Sequence, residues 1–359
     1  MFDLFPDLAD LNPLGTSAAP QPTVPTPQPT PKGTAPDGGG GGSGGSWLDS
    51  LGRGLETAID VITDPVGAID RVGARADLDS KFTVVPDDYA GPRTPNMVTA
   101  DEYDHVVRTY SNIRLGRTDL KIDGSTAKDP AQYQADMMDD IGDIMQTSSG
   151  RTLIDRLSDN TNGVDASGNP IHHSTTLRPR LDASGNPDNS NAGESGNSSP
   201  GIGAPFADGT HGVGGDTSIA MNPNMDVSAG GGTWRSDVAL YHEMVHAMHD
   251  TAGTTDVSTV AADDGVTREL NHGNLWGAVG EMVNPDPGNA SDAAFGLNRY
   301  EHQAAGLGLY ADDPITENAY RAERNGVAFS GQGLPGDLTM PQRDRYVGYT
   351  GTYTPFFGL

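Results

Sequence analysis

The most reactive pattern in the chain is His242-Glu243-Met244-Val245-His246. On a helix, residues four apart project from the same side, so His242 and His246 can hold one metal ion between their rings. Glu243 lies beside that ion rather than on it, where it can accept a proton from an activated water and pass it to a leaving amine. This HExxH pattern predicts a zinc peptidase site with two histidine ligands and Glu243 as general base.

A catalytic zinc ion needs a third protein ligand, and the sequence offers several candidates. His249 shares the helix face but lies two turns from His242, and the HExxHxxGxxH spacing is absent. Glu301 begins a helix-like segment whose small residues, Ala304 to Gly306, can pack closely against the motif helix. We therefore expect Glu301 to be the third ligand, although it could instead form a capping box with Asn298. The other candidates are Glu317, Asp250, His272 and His302.

Glu317 competes with Glu301 because Thr316 can cap a helix that has Glu317 in its first turn. We expect Glu317 to lie behind the ligands and to hold one ligand histidine by its other ring N–H. Nearby candidates for stabilising an oxyanion are Tyr300, Tyr320 and Arg321.

The reactive residues must be positioned by a helix that begins at Thr233 or Ser236 and runs to about Thr251, with Gly253 as its stop. Its apolar face is predicted to comprise Val238, Tyr241, Met244, Val245 and Met248. The alternating segment Asp216–Met221 is expected to form an edge strand beside the site.

Further elements are predicted upstream of the motif. A capping box of Thr99 and Glu102 predicts a helix over 99–110. Other predicted helices are 130–146 (with Tyr133, Met137, Ile141 and Ile144 on one face) and one starting in 150–157. Predicted strands are 113–115 and 171–177, and the Gly/Asn/Ser-rich segment 182–200 is expected to be a mobile loop.

The N-terminal part has a different composition. A Pro/Thr/Gln run over 20–36 and a glycine run over 38–45 predict that residues 1–46 are a disordered tail, serving either for delivery or docking or for no specific role. Apolar residues at helical spacing predict an amphipathic helix or helical hairpin, which we expect to pack on the catalytic domain rather than on a membrane or a partner. They are Trp47, Leu48, Leu51, Leu55, Ile59 and Ile62, then Val66, Ile69 and Val72 after Pro65.

Bulk composition narrows the class of function. The formal net charge is -27, which disfavours nucleic acid and anionic membranes as partners. The absence of cysteine excludes disulfides, thiolate zinc sites and cysteine nucleophiles. A Sec-type signal peptide and a membrane span are not expected, because the first residues lack a basic and apolar pattern and no run of 18 apolar residues occurs.

Three blocks carry a resemblance to a known family: LYHEMVHAMHDTAG, NRYEHQAAGL and PITENAYR. They resemble the HExxH helix, the E-x-x-A-x-G-L segment and the T-E-N helix of the NleD-like effector metallopeptidase family. GGDTSIAMNP resembles that family's edge strand, and IRLGRTD and SSGRTLIDRL resemble its N-terminal half. The resemblance covers about residues 105–326. The low-complexity segment near 180–200 and the extension past Val327 depart from the compact pattern.

The resemblance implies an α+β, zincin-like domain in which His242, His246 and Glu301 bind Zn²⁺. It implies a secreted bacterial endopeptidase that reaches a target cell through dedicated secretion or injection machinery and cleaves proteins there. The expected organisation is a tail (1–46), a helical segment (47–96), the metallopeptidase domain (97–326) and a C-terminal extension (327–359). The alternatives are a self-processing or cell-wall-associated peptidase of a delivery system, or a structural or cargo module of a phage-like particle.

Overall fold

The computed structural model describes residues 63–159, 172–188, 212–223, 235–258 and 299–326, and the backbone of five strands between them. These residues belong to one compact unit, Arg53–Leu359. None of the described helices is both long and apolar enough to cross a bilayer. The predictions for residues 1–62 and 327–359 concern parts of the chain outside the described residues.

The first described helix, α1 (Pro65–Leu78), begins after Asp64, whose side chain accepts a hydrogen bond from Gly67 N. A helix was predicted here, but the prediction of its buried face was wrong. Val66, Ile69 and Val72 are exposed, Ile69 by 75%. The helix packs instead through the opposite face, which is mostly small or polar: Ala74 and Leu78 are buried, and Asp70 pairs with Arg114. The two-stranded parallel sheet of β1 (Thr83–Val84) and β2 (Met97–Val98) follows.

Helix α2 (Ala100–Arg114) has the predicted capping box: Glu102 N donates to the Thr99 hydroxyl, and Thr99 N donates to the Glu102 carboxylate. It runs further than predicted. The expected strand over 113–115 is therefore wrong, because Ile113 lies in the last turn of α2 and is buried in the core. The apolar alternation of three residues could not be distinguished from the end of a helix.

Two helices form the layer against which the motif helix packs. Helix α3 (Pro130–Ile144) buries the predicted face of Tyr133, Met137, Ile141 and Ile144. Helix α4 (Ser148–Ser158) is capped by Thr147 and buries Leu153, Ile154 and Leu157. Both helices pack against the helix that carries the HExxH motif.

The central sheet has four strands in the order β3, β6, β8, β7. The strands β3 (Leu120–Ile122), β6 (Thr175–Arg178) and β8 (Thr217–Ala220) are parallel, and β7 (Gly193–Gly196) is antiparallel to β8. Two expectations are thereby corrected: β8 is an interior strand rather than an edge strand, and the glycine-rich segment contains the strand that forms that edge. Short antiparallel pairs join β4 (Gly163–Val164) to β5 (Pro170–Ile171) and β9 (Val227–Ala229) to β10 (Gly232–Trp234).

The motif helix, α5 (Ser236–Ala252), ends at Gly253 as predicted, and its predicted apolar face is buried. The expected caps Thr233 and Ser236 are wrong, because the N-cap is Arg235, which forms no side-chain capping bond. After residue 258 the described chain resumes with α6 (Arg299–Ala305), a 3-10 turn (Gly308–Tyr310) and α7 (Glu317–Asn325). Both late helices pack against α5, so the molecule is a mixed fold of helices around a small, mainly parallel sheet.

Candidate active site

Helix α5 carries the HExxH motif within the buried core of the described residues. His242 and His246 are buried, and their rings meet edge to face with centroids 4.7 Å apart. Glu243, between buried neighbours, is partly exposed. The helix thus buries its two imidazoles more deeply than Glu243.

Three side-chain atoms converge at one point. His242 Nε2 and His246 Nε2 are 3.1 Å apart, and Glu301 Oε2 lies 3.4 Å from each of them. Glu301 comes from the first turn of α6, a helix that is far from α5 in the sequence but packed against it in space. His242, His246 and Glu301 thus form a buried group with the residue types and spacing that can hold a metal ion.

The dimensions of this triangle fit a tetrahedral metal ion. Bonds of ~2.1 Å arranged tetrahedrally place neighbouring donor atoms about 3.4 Å apart. The same dimensions fit hydrogen bonding poorly, because 3.4 Å is long for an N–H···O bond. Glu301 Oε2 is buried and makes no hydrogen bond of normal geometry within the described part of the chain. Two imidazole nitrogens can face each other at 3.1 Å only when a proton or a metal ion lies between them. The donor set therefore suits a metal ion that keeps one position open.

Glu317 lies on the other side of the His242 ring. Its Oε2 is 2.9 Å from His242 Nδ1, within hydrogen-bonding distance. Its Oε1 accepts a bond of 2.6 Å from Arg321 Nε, one helical turn further along α7. Thr316 caps this helix by accepting a bond from Ala319 N, as the sequence predicted. The cap fixes where α7 begins and so directs its first-turn carboxylate at His242.

The close approach of these histidine and glutamate side chains shifts the pKa values of His242 and Glu301. Burial disfavours the charged form of His242, but the carboxylates of Glu301 and Glu317 outweigh burial and raise the pKa of the ring to about 9. Burial likewise opposes ionisation of Glu301, yet the two histidines lower the pKa of its carboxyl well below the usual value. The site thus favours charged carboxylates next to a positive charge, whether that charge is a protonated histidine or a metal ion.

Other residues considered as ligands lie elsewhere. His249 Nδ1 is 2.8 Å from Thr254 Oγ1, and burial lowers the pKa of this histidine to about 3. Asp250 accepts a hydrogen bond from Thr255. His302 is buried but does not belong to the metal-binding group found among the described residues. His272 and Asn298 lie outside the described residues.

The three oxyanion candidates occupy different places. Tyr300 packs its ring edge against His246, with centroids 5.1 Å apart. Tyr320 is fully buried and donates to Asp237, and Arg321 is buried against Glu317. Only Tyr300 of the three therefore borders the metal-binding group on a partly exposed side.

Sequence reasoning missed two residues that hold the site together. Asp237, in the first turn of α5, accepts bonds from Tyr320 and Arg324 of α7. Gln303 of α6 accepts a bond from Asp256 N and donates to Thr254 O, which lie just beyond α5. Asp237 could be noticed as an acidic residue near a helix N-terminus, but its partners more than 80 residues away left no local signal.

Comparison with known protein families gives a match to the model of peptidase family M91, described as effector protein, over residues 119–346. This range covers more than half of the chain and includes α5, α6 and α7. No curated protein matches the chain significantly.

Proposed function

Because this chain belongs to the M91 peptidase family of effector proteins, we propose that it is a zinc-dependent endopeptidase that cleaves proteins in a target cell. The observation that carries this proposal is the convergence of His242 Nε2, His246 Nε2 and Glu301 Oε2 in a triangle of tetrahedral dimensions. In this reading the domain is a zincin-like peptidase, and the three residues are the ligands of Zn²⁺.

His242, His246 and Glu301 would hold a zinc ion, which would act there as a Lewis acid that polarises a carbonyl and lowers the pKa of water to about 7. The protein's own part begins with Glu243, which follows the first ligand and is partly open to solvent. Its carboxylate is the general base that accepts a proton from the attacking water and returns it to the leaving amine. Glu317 orients His242 through Nδ1, so that Nε2 faces the ligand triangle.

The delivery route follows from the same assignment. An effector protein acts in another cell, which it has to reach from the cell that makes it. We therefore propose that dedicated secretion or injection machinery exports the chain and that its substrates are proteins of the recipient cell. The family match and the site chemistry support a peptidase rather than a cargo module.

Zinc titration of the metal-free full-length protein tests the ligand assignment. We expect about one zinc per chain, and His242→Ala and His246→Ala should each remove most of it, because two ligands hold zinc weakly. His172→Ala is a matched control, since this histidine is exposed and lies 3.1 Å from Asp119, away from the site. Stoichiometric zinc in the two ligand variants would refute the metal assignment.

Incubation of the zinc-loaded protein with target-cell lysate tests the activity. New protein termini should appear with the wild type, and Glu243→Gln should retain zinc but lose about 10²–10⁴-fold in rate, because glutamine cannot accept the proton. Cleavage at an undiminished rate by this variant would exclude Glu243 as the base. Termini that appear only within the chain itself would favour a self-processing peptidase.

A further inference from the structure

Buried contacts connect Arg321 through Glu317 to His242 of the metal-binding group, and we call this series of contacts the relay. Glu317 is fully buried and Arg321 is 4% exposed, and the two side chains lie one turn apart on the inner face of α7. The guanidinium donates to one carboxylate oxygen of Glu317, while the other oxygen lies against His242 Nδ1. Each oxygen of this carboxylate thus faces a different partner.

Helix α7 is held in a fixed rotation by contacts remote from the relay. Tyr320 stacks on Tyr241 of α5 with ring centroids 4.4 Å apart and donates to Asp237. Arg324 bonds to the same aspartate and to Asp143 of α3. Because the helix is held at residues 320 and 324, the backbone at 317 is fixed, and the remaining freedom lies in the Glu317 side chain.

We infer that Arg321 is a positioning residue that acts through Glu317 to orient His242, an assignment that rests on the proposed zinc site. By binding Oε1, the guanidinium fixes the rotation of the carboxylate and leaves Oε2 to accept the Nδ1–H of His242. A ring whose Nδ1 carries the hydrogen presents the Nε2 lone pair to the metal position. Arg321 also offsets the negative charge of Glu317, which would otherwise be costly to bury.

A double-mutant cycle on zinc affinity separates this role from general support of the fold. The zinc dissociation constant of the full-length protein is measured by chelator competition for the wild type, Arg321→Met, Glu317→Gln and the double variant. We expect Glu317→Gln to weaken binding about 10–100-fold. Arg321→Met should weaken it about tenfold alone but add less than about threefold when combined with Glu317→Gln, because its effect passes through the carboxylate.

Arg321→Lys supplies the conservative comparison. It retains the positive charge near Glu317, so it should bind zinc more tightly than Arg321→Met. Should Arg321→Met not fold, Arg321→Gln takes its place in the cycle, and the same criterion applies. Additive effects of the two single variants, an unchanged affinity without Arg321, or equal affinities of the Lys and Met variants would each overturn the inference.

Arg324→Lys is the matched control for burial. It replaces an equally buried guanidinium on the same helix that contacts Asp237 rather than Glu317. It should lower the melting temperature, and its effect on zinc affinity should add to that of Glu317→Gln, because Arg324 does not act through that carboxylate. A wild type that binds no zinc would refute the proposed function together with this inference, whereas stoichiometric zinc with an additive cycle would refute this inference alone.

Discussion

Two buried carboxylates approach His242 from opposite sides of its ring. Glu301 Oε2 lies 3.4 Å from Nε2 of His242 and 3.4 Å from Nε2 of His246, where it would be the third ligand of the proposed zinc site. Glu317 lies 2.9 Å from Nδ1, where it can only hold the ring. In the proposed site the same residue type would serve two purposes, and the ring nitrogen that each carboxylate faces distinguishes them.

This difference makes a prediction about metal affinity. Glu301→Ala should weaken zinc binding well beyond the about 10–100-fold loss expected for Glu317→Ala, because it removes a metal ligand rather than the partner of one. Chelator competition on both variants measures the two losses. If Glu317→Ala proved the more damaging, Glu317 would have to be the ligand instead.

The carboxyl group of Asp140 is buried and surrounded by other acidic residues. Burial raises the pKa of its carboxyl to about 8, and Asp237, Asp143 and Asp139 add to the effect, although Ser236 donates to Oδ1. Its Oδ2 is buried and has no hydrogen-bond partner among the described residues. At neutral pH the folded protein therefore keeps this carboxyl protonated, whereas the unfolded chain releases the proton near pH 4.

The sign of the resulting pH dependence follows from linkage. The contribution of Asp140 is fully present below about pH 4 and is lost as the pH rises towards 8, by about 2–5 kcal/mol of unfolding free energy. Asp140→Asn imitates the protonated side chain, so it should raise the melting temperature at pH 8 and flatten the pH dependence between 4 and 8. Asp139→Asn, at a 71% exposed side chain paired with Lys81, is the control that should reduce this slope only slightly, because Asp139 contributes least of the three acidic neighbours. Equal slopes in wild type and Asp140→Asn would contradict the assignment.

At the scale of elements, helices were predictable where local chemistry defines them. Thr99 with Glu102, Pro130 at a helix start, Gly253 at an end and the Thr316 cap each left a signal within a few residues. The strand β7 left none, because main-chain pairing with β8 holds Gly193–Gly196 and requires no particular side chains.

The residues of the candidate site also fall into those with a local signal in the sequence and those without one. The two histidines and Glu243 could be read from one helical turn, and Glu301 and Glu317 from segments that resemble a known family. The roles of Asp237, Gln303 and Asp140 depend on partners brought together only by folding. No spacing within the sequence can indicate such contacts.

Gly306, which follows α6, lies against Thr316, the N-cap of α7. A substitution at Gly306 therefore tests how the two helices are placed relative to each other. Gly306 has a φ of 78°, and an added Cβ would lie 2.4 Å from the Thr316 hydroxyl that caps α7. Gly306→Ala should cost about 1–2 kcal/mol for the left-handed backbone alone, and more for the collision. Because the collision displaces the helices of Glu301 and Glu317, zinc affinity should fall as well.

Gly185→Ala is the matched control for backbone strain. Its φ is 80°, but an added Cβ would meet nothing within 4 Å, and it lies outside the metal-binding group. It should show the stability loss measured by thermal denaturation without a loss of zinc affinity. Equal zinc affinities in the two variants would show that the contact between Gly306 and Thr316 does not position the site.

On the scale of the whole molecule, the fold extends further towards the N-terminus than the family match. The match begins at residue 119, yet α1 and α2 lie before it. Helix α1 packs on α2, and α2 packs on α3 and α4 within the match. These earlier helices therefore support the layer on which the motif helix rests, and the boundary of the folded domain should precede residue 65.

Two truncations test where the folded domain begins. Deletion of residues 1–46, which have the composition of a tether, should leave zinc stoichiometry, peptidase activity and melting temperature unchanged while impairing delivery between cells. Deletion of residues 1–79 also removes α1, including buried Ala74 and Leu78 and the Asp70–Arg114 pair, so it should lower the melting temperature markedly. Activity assays and thermal denaturation of the purified truncations measure both effects. Loss of activity in the shorter deletion would mean that the tail belongs to the folded enzyme, whereas an unchanged melting temperature in the longer one would mean that α1 is an appendage rather than part of the supporting layer.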